Sequence, residues 1–235
     1  MSIMLSVSIV HAKTLAELRA AERYKLNDST VTSHSPYWTD AELNIRNNDI
    51  QRQIAQYTRC MYVSSIATPV AETKEYSIPP NCISIDRVSF LQTTSTTSYR
   101  KVEAITMGGL DVKIPTWENN TSGKPLYYYE RGDKIGFDRP VSATYASTDA
   151  IKIDYYKYPT NMTTDSDEPF EGIDYLELYH DVIVLGVVAM CKEDEGKGNE
   201  AANITAKYIA GINGMMDSLQ HKTDQSTQHI SVGGK

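Results

Sequence analysis

The sequence contains few cysteines, and their spacing fits neither a metal site nor a disulfide framework. Cys60, Cys82 and Cys191 are an odd number and lie far apart along the chain. Disulfide scaffolds need cysteines in pairs within a short chain, and zinc sites need them close together in sequence. The cysteine content therefore favours a protein that assembles in a reducing cytoplasm.

Long hydrophobic runs are also lacking. The longest, at 182–190, is too short to cross a bilayer and is typical of the buried stripe of a core helix. The apolar residues 1–10 lack the basic start and the small-residue cleavage site of a signal peptide. We interpret them as a strand or a docking arm and expect no membrane association.

An excess of basic residues is missing as well. The formal net charge is −7, and Lys and Arg form no cluster. Proteins that hold nucleic acid by its phosphates need clustered cations, so this class is disfavoured. An acidic protein can instead line a channel through which DNA slides without sticking, because like charges repel within a Debye length of about 8–10 Å.

Catalytic and metal-binding motifs are not found. The histidines have no paired spacing, and Glu177 with His180 is a single Glu-x-x-His, which favours a surface or interface histidine over a ligand. Asp165, Asp167 and Glu168 resemble a calcium loop only in part, because Phe170 stands where such a loop needs glycine. We therefore expect a solvated loop, no metal, no cofactor and no catalytic residue.

Helical periodicity marks the start of the chain. A first helix is predicted at 13–26, and a second follows Thr39, which forms a capping box with Glu42 three residues later. The second helix carries apolar residues at helical spacing. They are Leu43, Ile50, Ile54, Tyr57 and Met61.

The middle of the chain is rich in Val, Ile, Thr and Tyr and predicts short antiparallel strands. The candidates are 62–67, 73–78, 83–91, 99–105, 125–130, 134–138 and 150–157. Gly108-Gly109 is interpreted as a turn, and Arg131-Gly132-Asp133 as a hairpin turn rather than an adhesion motif. These strands indicate a compact sandwich or small barrel.

Two more helices are predicted after an acidic loop, at about 173–192 and 198–221. The last residues are polar and without periodicity, so we expect a mobile arm unless a partner holds it. The predicted fold is α+β, a helical bundle built from both ends of the chain with an inserted antiparallel β-sandwich or small barrel. The predicted divisions are 1–61, 62–159, 160–221 and 222–235.

Tyrosine dominates the aromatic residues, with sixteen copies and clusters at 127–129 and 155–158. Tyrosines on a strand can stack on sugars or bases, but they more often cover a core edge or a subunit interface. We therefore favour a core or interface role for them.

The order of these features resembles the head-to-tail connector or adaptor proteins of tailed phages, including the tubular tail proteins of short-tailed phages. The resemblance covers about 39–210. It rests on the capped helix after Trp38, on 76–88, on Trp117, on 123–129 with 132–135, and on 153–159 leading through the acidic loop into a long helix.

The resemblance implies a non-enzymatic virion protein that assembles in the host cytoplasm and lies at the head–tail junction. It implies a ring of twelve copies that binds the portal and supports the tail tube, nozzle or tail-terminator proteins, with genomic DNA passing through the lumen without specific binding. Residues predicted to dock on the portal are His221, Lys222, Gln228, His229, Ile230 and Val232. Those predicted at a tail-side or subunit interface are Trp117, Tyr127, Tyr128, Tyr129 and Arg131.

Two other functions stay open at this point. A tail or baseplate protein with a tyrosine-rich glycan-binding β-domain would place Trp117 and 127–129 in an exposed groove. A cell-wall hydrolase would use two carboxylates among Asp165, Asp167 and Glu171, held about 5–10 Å apart across a cleft.

Overall fold

The structure is a computed structural model that describes residues 12–28, 36–95, 97–146 and 148–228, with the backbone alone for 221–228. Within these ranges it contains five α-helices and two four-stranded sheets, so the predicted α+β class is confirmed. The described residues form two compact units. The helical unit joins those up to Cys60 with those from Pro159 onward, and the β-unit runs from Met61 to Tyr158.

The helices are α1 (Leu15–Leu26), α2 (Asp40–Thr58), α3 (Met107–Lys113), α4 (His180–Asp194) and α5 (Gly198–Gln228). Helix α1 begins at a capping box that the sequence analysis did not identify. The Thr14 hydroxyl accepts a hydrogen bond from the Glu17 N–H, and the Glu17 carboxylate accepts one from the Thr14 N–H. The helix ends at Asn27, which adopts the left-handed conformation.

Helix α2 confirms the predicted capping box of Thr39 and Glu42. Leu43, Ile50 and Ile54 of its predicted stripe are buried. Two predicted members were wrong, because Tyr57 is 66% exposed and Met61, although buried, lies beyond the helix, which ends at Thr58. Asn47 and Gln51 are fully buried on the same helix. The packed face of α2 therefore includes these two amides and leaves out Tyr57, which apolar spacing alone did not reveal.

The two amides Asn48 and Gln51 of α2 hold the segment that returns from the β-unit. The Asn48 side chain donates to the Met162 carbonyl at 3.0 Å and accepts from the Met162 N–H at 2.8 Å. Gln51 donates to the Thr160 carbonyl at 3.1 Å and accepts from the Phe170 N–H at 3.2 Å. The backbone of this segment is therefore fixed to the bundle by side-chain amides. In a loop exposed to solvent, the same backbone groups would bond to water.

Helices α4 and α5 differ from the prediction at their ends. Residues 174–179 form a 3-10 helix, and α4 begins at His180 rather than near 173. Helix α5 continues to Gln228, past His221 where the sequence pattern ends. Helix α4 packs on α1, α2 and α5, which makes it the centre of the bundle.

The strands are β1 (Tyr62–Ala67), β2 (Glu75–Ser77), β3 (Cys82–Leu91), β4 (Tyr99–Lys101), β5 (Glu103–Ala104), β6 (Tyr127–Arg131), β7 (Lys134–Phe137) and β8 (Ile151–Lys157). One sheet has the order β1-β8-β3-β4, and the other has β2-β7-β6-β5. Strand β1 pairs antiparallel with β8, from Tyr62 opposite Tyr156 to Ala67 opposite Ile151.

Both sheets contribute to a single apolar core. Phe90 of β3 and Phe137 of β7 are fully buried, and their rings meet edge to face at 6.3 Å. Val88, Ile135 and Ile151 are buried in the same cluster. The arrangement is a sandwich, and over the described residues neither sheet closes into a barrel.

Two features of the β-unit correct the sequence analysis. Strand β5 runs parallel to β6, although all strands were expected to be antiparallel. Gly108-Gly109 lies inside α3 and not in a turn. Thr106 caps this helix by accepting from the Gly109 N–H at 3.1 Å, and Leu110 is fully buried, which offsets the low helix propensity of glycine.

Candidate docking surfaces

Helix α5 packs antiparallel on α4 through close contacts at two glycines. A Cβ at Gly186 would lie 2.9 Å from the Tyr208 ring, and one at Gly211 would lie 2.9 Å from Val182. Helix α4 has 15 residues and α5 has 31, which correspond to about 22 Å and 46 Å. Because Gly211 lies beside the first turn of α4, the C-terminal half of α5 continues past the start of α4.

The apolar face of α5 ends well before the helix does. Up to Gln220, where side chains are described, Ile212 and Met215 are the last buried residues, and Leu219 is half-buried. From Gln220 to Gln228 the sequence contains no apolar residue. The final turns therefore have no apolar side chain to bury against this bundle, and this helix end is a candidate surface for a partner.

The residues predicted to dock on the portal fall around this helix end. His221, Lys222 and Gln228 lie on the described backbone of α5. His229, Ile230 and Val232 lie outside the described residues, as do the apolar residues 1–10 that were interpreted as a strand or docking arm. The docking role of the six residues stays a prediction.

Most of the aromatic residues predicted at an exposed interface are buried in the β-unit. Trp117, Tyr128 and Tyr129 are 4%, 5% and 3% exposed. Tyr128 belongs to the sandwich core, and Trp117 meets Tyr129 edge to face at 5.4 Å. These three rings therefore have the core role, one of the two roles favoured for the tyrosines, and they do not form the exposed groove that glycan binding requires. A part for the whole set at a tail-side or subunit interface stays a prediction.

The burial follows from α3, which the sequence analysis missed. Leu110 of α3 packs with Trp117 and Tyr129 in a second small apolar cluster. The Trp117 indole donates to Asp111 at 2.8 Å. A threonine three residues before a glycine, followed by Leu110 on the next turn, is the local signal that would have indicated this helix.

The β6–β7 hairpin confirms the predicted turn at Arg131-Gly132-Asp133. Gly132 has φ +60°, a conformation that favours glycine, and Arg131 pairs with Lys134 across the turn. The Arg131 side chain is exposed and lies 3.5 Å from Glu75. Arg131 and the half-buried Tyr127 are therefore the members of the predicted interface set that a partner can reach.

The acidic loop, expected to be solvated, is an integral part of the helical unit. The Thr164 hydroxyl donates a hydrogen bond to the Asp167 carboxylate, as do the Thr164 and Thr163 N–H groups at 2.8 and 2.6 Å, and these bonds lower the pKa of Asp167 to about 2. Carbonyls of Asp165 and Asp167 accept from the first two N–H groups of α1. The loop thus caps the helix on which it lies.

The carboxylates considered for a hydrolase have structural partners. Asp165 forms an ion pair with Arg19 at 2.6 Å. Glu171 accepts from the Thr160 N–H and hydroxyl at 3.1 and 2.8 Å. These contacts hold the loop in place and position none of the three acids as a catalytic pair.

His180 is buried rather than at the surface. It is 1% exposed, and its Nδ1 accepts a hydrogen bond from the Lys13 N–H at 2.9 Å. Burial lowers the pKa of His180 to about 4, since a charged ring would lose its hydration. In the described part of the chain, no group of three or more His, Cys, Asp or Glu side chains is arranged to hold a metal ion.

The sequence also matches a known protein family. The family model described as SU10 adaptor protein matches residues 13–232, which is most of the chain. The chain belongs to this family. A search of curated proteins finds no match.

The family is one of structural phage adaptors and not a family of enzymes, so the protein is a structural phage adaptor. An adaptor family implies phage assembly partners such as portal or tail proteins. Among the described residues of the adaptor, no helix has the length and apolar character needed to span a membrane.

The net charge of this adaptor is carried by one part of the sequence. Residues 61–158 contain eleven Lys and Arg and eleven Asp and Glu, so their formal charge is zero. The remaining residues, which supply the helical unit, carry the whole net charge of −7. The excess is concentrated after residue 158, where thirteen acidic residues face five basic ones.

Proposed function

We propose that this adaptor is a subunit of a ring that joins the portal of a phage head to the tail, and that its C-terminal segment docks on the portal. The family supports an adaptor role. The observation that carries the docking proposal is the C-terminal end of α5, which extends past α4 and has no apolar residue from Gln220 to Gln228.

A polar helix end suits a joint that forms late in assembly. Each copy binds weakly, because a polar segment buries little apolar surface and loses conformational freedom when it is ordered. Twelve copies held in one ring bind together, and the effective concentration of the remaining arms then makes the joint durable. The proposed docking residues are His221, Lys222, Gln228, His229, Ile230 and Val232.

The β-unit is the proposed platform for tail proteins such as a tail tube, nozzle or tail terminator. Its exposed hairpin carries Arg131, and the half-buried Tyr127 ring lies under the Lys113 ammonium at 4.3 Å. The buried Trp117, Tyr128 and Tyr129 support this hairpin from within. Their effect on the proposed contact with tail proteins is indirect, because they hold the strands of the hairpin in place.

The acidic helical unit is the proposed lining of the DNA channel. DNA that passes through the ring must not bind to it, and a surface of like charge repels the phosphates at close range. The concentration of the whole net charge in the residues of this unit supports this orientation over one in which the neutral β-unit faces the lumen.

The first experiment measures the mass of the purified adaptor alone and mixed with purified portal. The full chain is compared with a chain truncated after His221 and with a chain in which residues 222–235 are scrambled. We expect a complex with twelve adaptor copies for the full chain and loss of the complex for both variants.

The scrambled variant keeps the length and charge of residues 222–235 but changes their order, so it tests whether docking depends on their sequence. If it binds portal as well as the full chain does, docking is not encoded by the named residues. If the truncated chain also binds, the portal contact lies elsewhere. A full chain that stays monomeric with portal present would refute the ring.

The channel proposal is tested by charge reversal at exposed acids. Asp174, Glu193 and Asp217 of the helical unit are changed together to Lys, and Glu118, Glu130 and Asp133 of the β-unit form the matched control. We expect the first triple variant to retain DNA in assembled particles and to slow ejection, measured by dye release. Equal effects of the two variants would contradict the orientation.

A further inference from the structure

The four free edges of the two sheets differ in how they are protected from pairing. Strand β4 is three residues long and carries Arg100 and Lys101. Strands β2 and β5 have three and two residues and carry Glu75 and Glu103. Short edges with charged side chains resist the addition of another strand. Three of the four edges therefore follow the usual pattern of a protected sheet.

Strand β1 does not. It is six residues long, Tyr-Val-Ser-Ser-Ile-Ala, with no charged residue and no proline. It lies at the end of its sheet, and among the described residues only β8 pairs with it. Tyr62 and Ile66 are 46% and 52% exposed on its outer face. An edge of this kind presents unpaired backbone groups and is a template for another strand.

The two faces of β1 define what such a strand must look like. Val63 packs against the sandwich core, while Tyr62, Ser64 and Ile66 lie on the exposed face. A strand added beside β1 has one face toward the core edge and the other toward solvent. It should therefore alternate apolar and small polar residues and carry no charge.

The first ten residues of the chain have this pattern. Ile3, Leu5, Val7 and Ile9 occupy alternate positions, and Ser6 and Ser8 lie between them. The segment contains no charged residue. A single strand of this kind is not stable in water and needs an existing sheet edge to satisfy its backbone.

We propose that residues 2–10 of one adaptor copy pair as an added strand with β1 of the neighbouring copy. This inference rests on the proposed ring, because it supplies a contact between adjacent subunits. The apolar row of residues 3, 5, 7 and 9 then extends the sandwich core past Val63. Main-chain hydrogen bonds give the contact its strength, and the alternation of side chains sets its register.

Symmetry favours this occupant over a second β1 strand. Two β1 edges that pair antiparallel form a two-fold dimer that uses both edges and cannot continue. A segment that enters the edge of the next copy makes a contact between two different surfaces, and such contacts close into rings by rotation.

The test is disulfide formation between two different variants after assembly. One protein carries Ser6→Cys or Ser8→Cys, two positions that sample two registers, and the other carries Ile66→Cys. The two are mixed, assembled with portal and mildly oxidised. We expect a covalent dimer in the mixture and none when either single variant is oxidised alone.

The native cysteines and random collisions are controlled in the same gel. Cys60 and Cys191 are buried, and Cys82 is half-buried. Val112→Cys, on a residue that is 84% exposed in α3, replaces Ile66→Cys in a parallel mixture and should give at most a tenth of the dimer. A double variant with Ser8→Cys and Ile66→Cys in one chain reports pairing within a copy.

Each outcome decides the inference. A dimer specific to the mixture supports it. A cross-link found only within the double variant overturns it, because the segment then covers β1 of its own copy. A dimer of two Ile66→Cys chains shows edge-to-edge pairing and also overturns it. If no cross-link forms in assembled rings, the strand contact is refuted while the ring stands, since the mass measurement reports ring formation independently.

Discussion

The helical unit and the β-unit are stabilised in different ways. The described residues of the helical unit include seven buried polar or charged ones, which are Arg19, Glu22, Arg23, Asn47, Gln51, His180 and Lys192. The β-unit buries Ser89, Asp138 and Asp154, and its core consists of aromatic and branched side chains. Asp138 accepts from the Leu126 and Tyr127 N–H groups and from Arg139, so its carboxylate is well satisfied.

Buried groups without a hydrogen-bond partner are concentrated in the helical unit. Among the described side chains there are six such atoms, and five lie there, including Glu22 Oε1 and Asn47 Oδ1. An apolar core supplies stability with little dependence on pH, whereas a buried polar network specifies one arrangement of helices and costs stability where it is incomplete. The β-unit is therefore expected to be the more robust part of the adaptor.

The largest expected effect is on the apolar core of the β-unit. Phe137→Ala removes a fully buried ring that contacts Phe90 and should lower the free energy of unfolding by about 4 kcal/mol. Urea unfolding followed by aromatic fluorescence measures it, with the exposed Val112→Ala as the control. A cost below about 1 kcal/mol would mean that packing does not dominate this unit.

The next effect is a pH dependence that belongs to the helical unit. Burial raises the pKa of Glu22 from 4.5 to about 8, although Asn47, Arg19 and Arg23 favour the charged form. A protonated Glu22 carboxyl also carries a hydrogen-bond donor. Asn47 Oδ1, a buried acceptor, has no donor as its partner. Cys191 on α4 stays neutral at these pH values because burial raises its pKa to about 12.

The direction of the pH dependence of stability follows from the raised pKa of Glu22. The contribution of Glu22 to stability is fully present below pH 4.5 and is lost as the pH rises through 8, with a loss of about 3.5 kcal/mol between pH 5 and pH 8. Glu22→Gln should remove this loss, seen as a smaller difference in unfolding free energy between pH 5 and pH 8. The exposed Glu193→Gln should leave the slope unchanged, and an unchanged slope in Glu22→Gln would contradict the assignment.

A smaller effect is expected where α2 holds the returning segment. Gln51→Ala removes the partner of the Thr160 carbonyl and of the Phe170 N–H, both at a fully buried side chain. We expect a loss of about 2 kcal/mol in the free energy of unfolding. Gln53→Ala, two residues away and exposed, is the matched control, and equal costs would show that the amide contacts do not matter.

The smallest effect concerns the two capping boxes. Thr14→Ala and Thr39→Ala should each lower the free energy of unfolding by about 1 kcal/mol, because each leaves an N–H of the first turn without its partner. The exposed Thr205→Ala in α5 should cost less. If both cap variants match Thr205→Ala, tertiary contacts alone fix the helix starts.

Local signals predicted those parts of the fold that depend on neighbours in sequence. Thr39 and Glu42 start α2, and Gly132 turns the β6–β7 hairpin, because caps and tight turns are satisfied within a few residues. Helix α3 was missed because its glycines have low helix propensity, for which the Thr106 cap and the burial of Leu110 against Trp117 compensate.

The sequence by itself determined the α+β class and the position of most helices and strands. Only the tertiary structure decided that Trp117, Tyr128 and Tyr129 are core residues, that His180 is buried and that Tyr57 is exposed. The reason is physical. Periodicity shows which residues share a face, whereas burial depends on what packs against that face, and here this is supplied by residues distant in sequence.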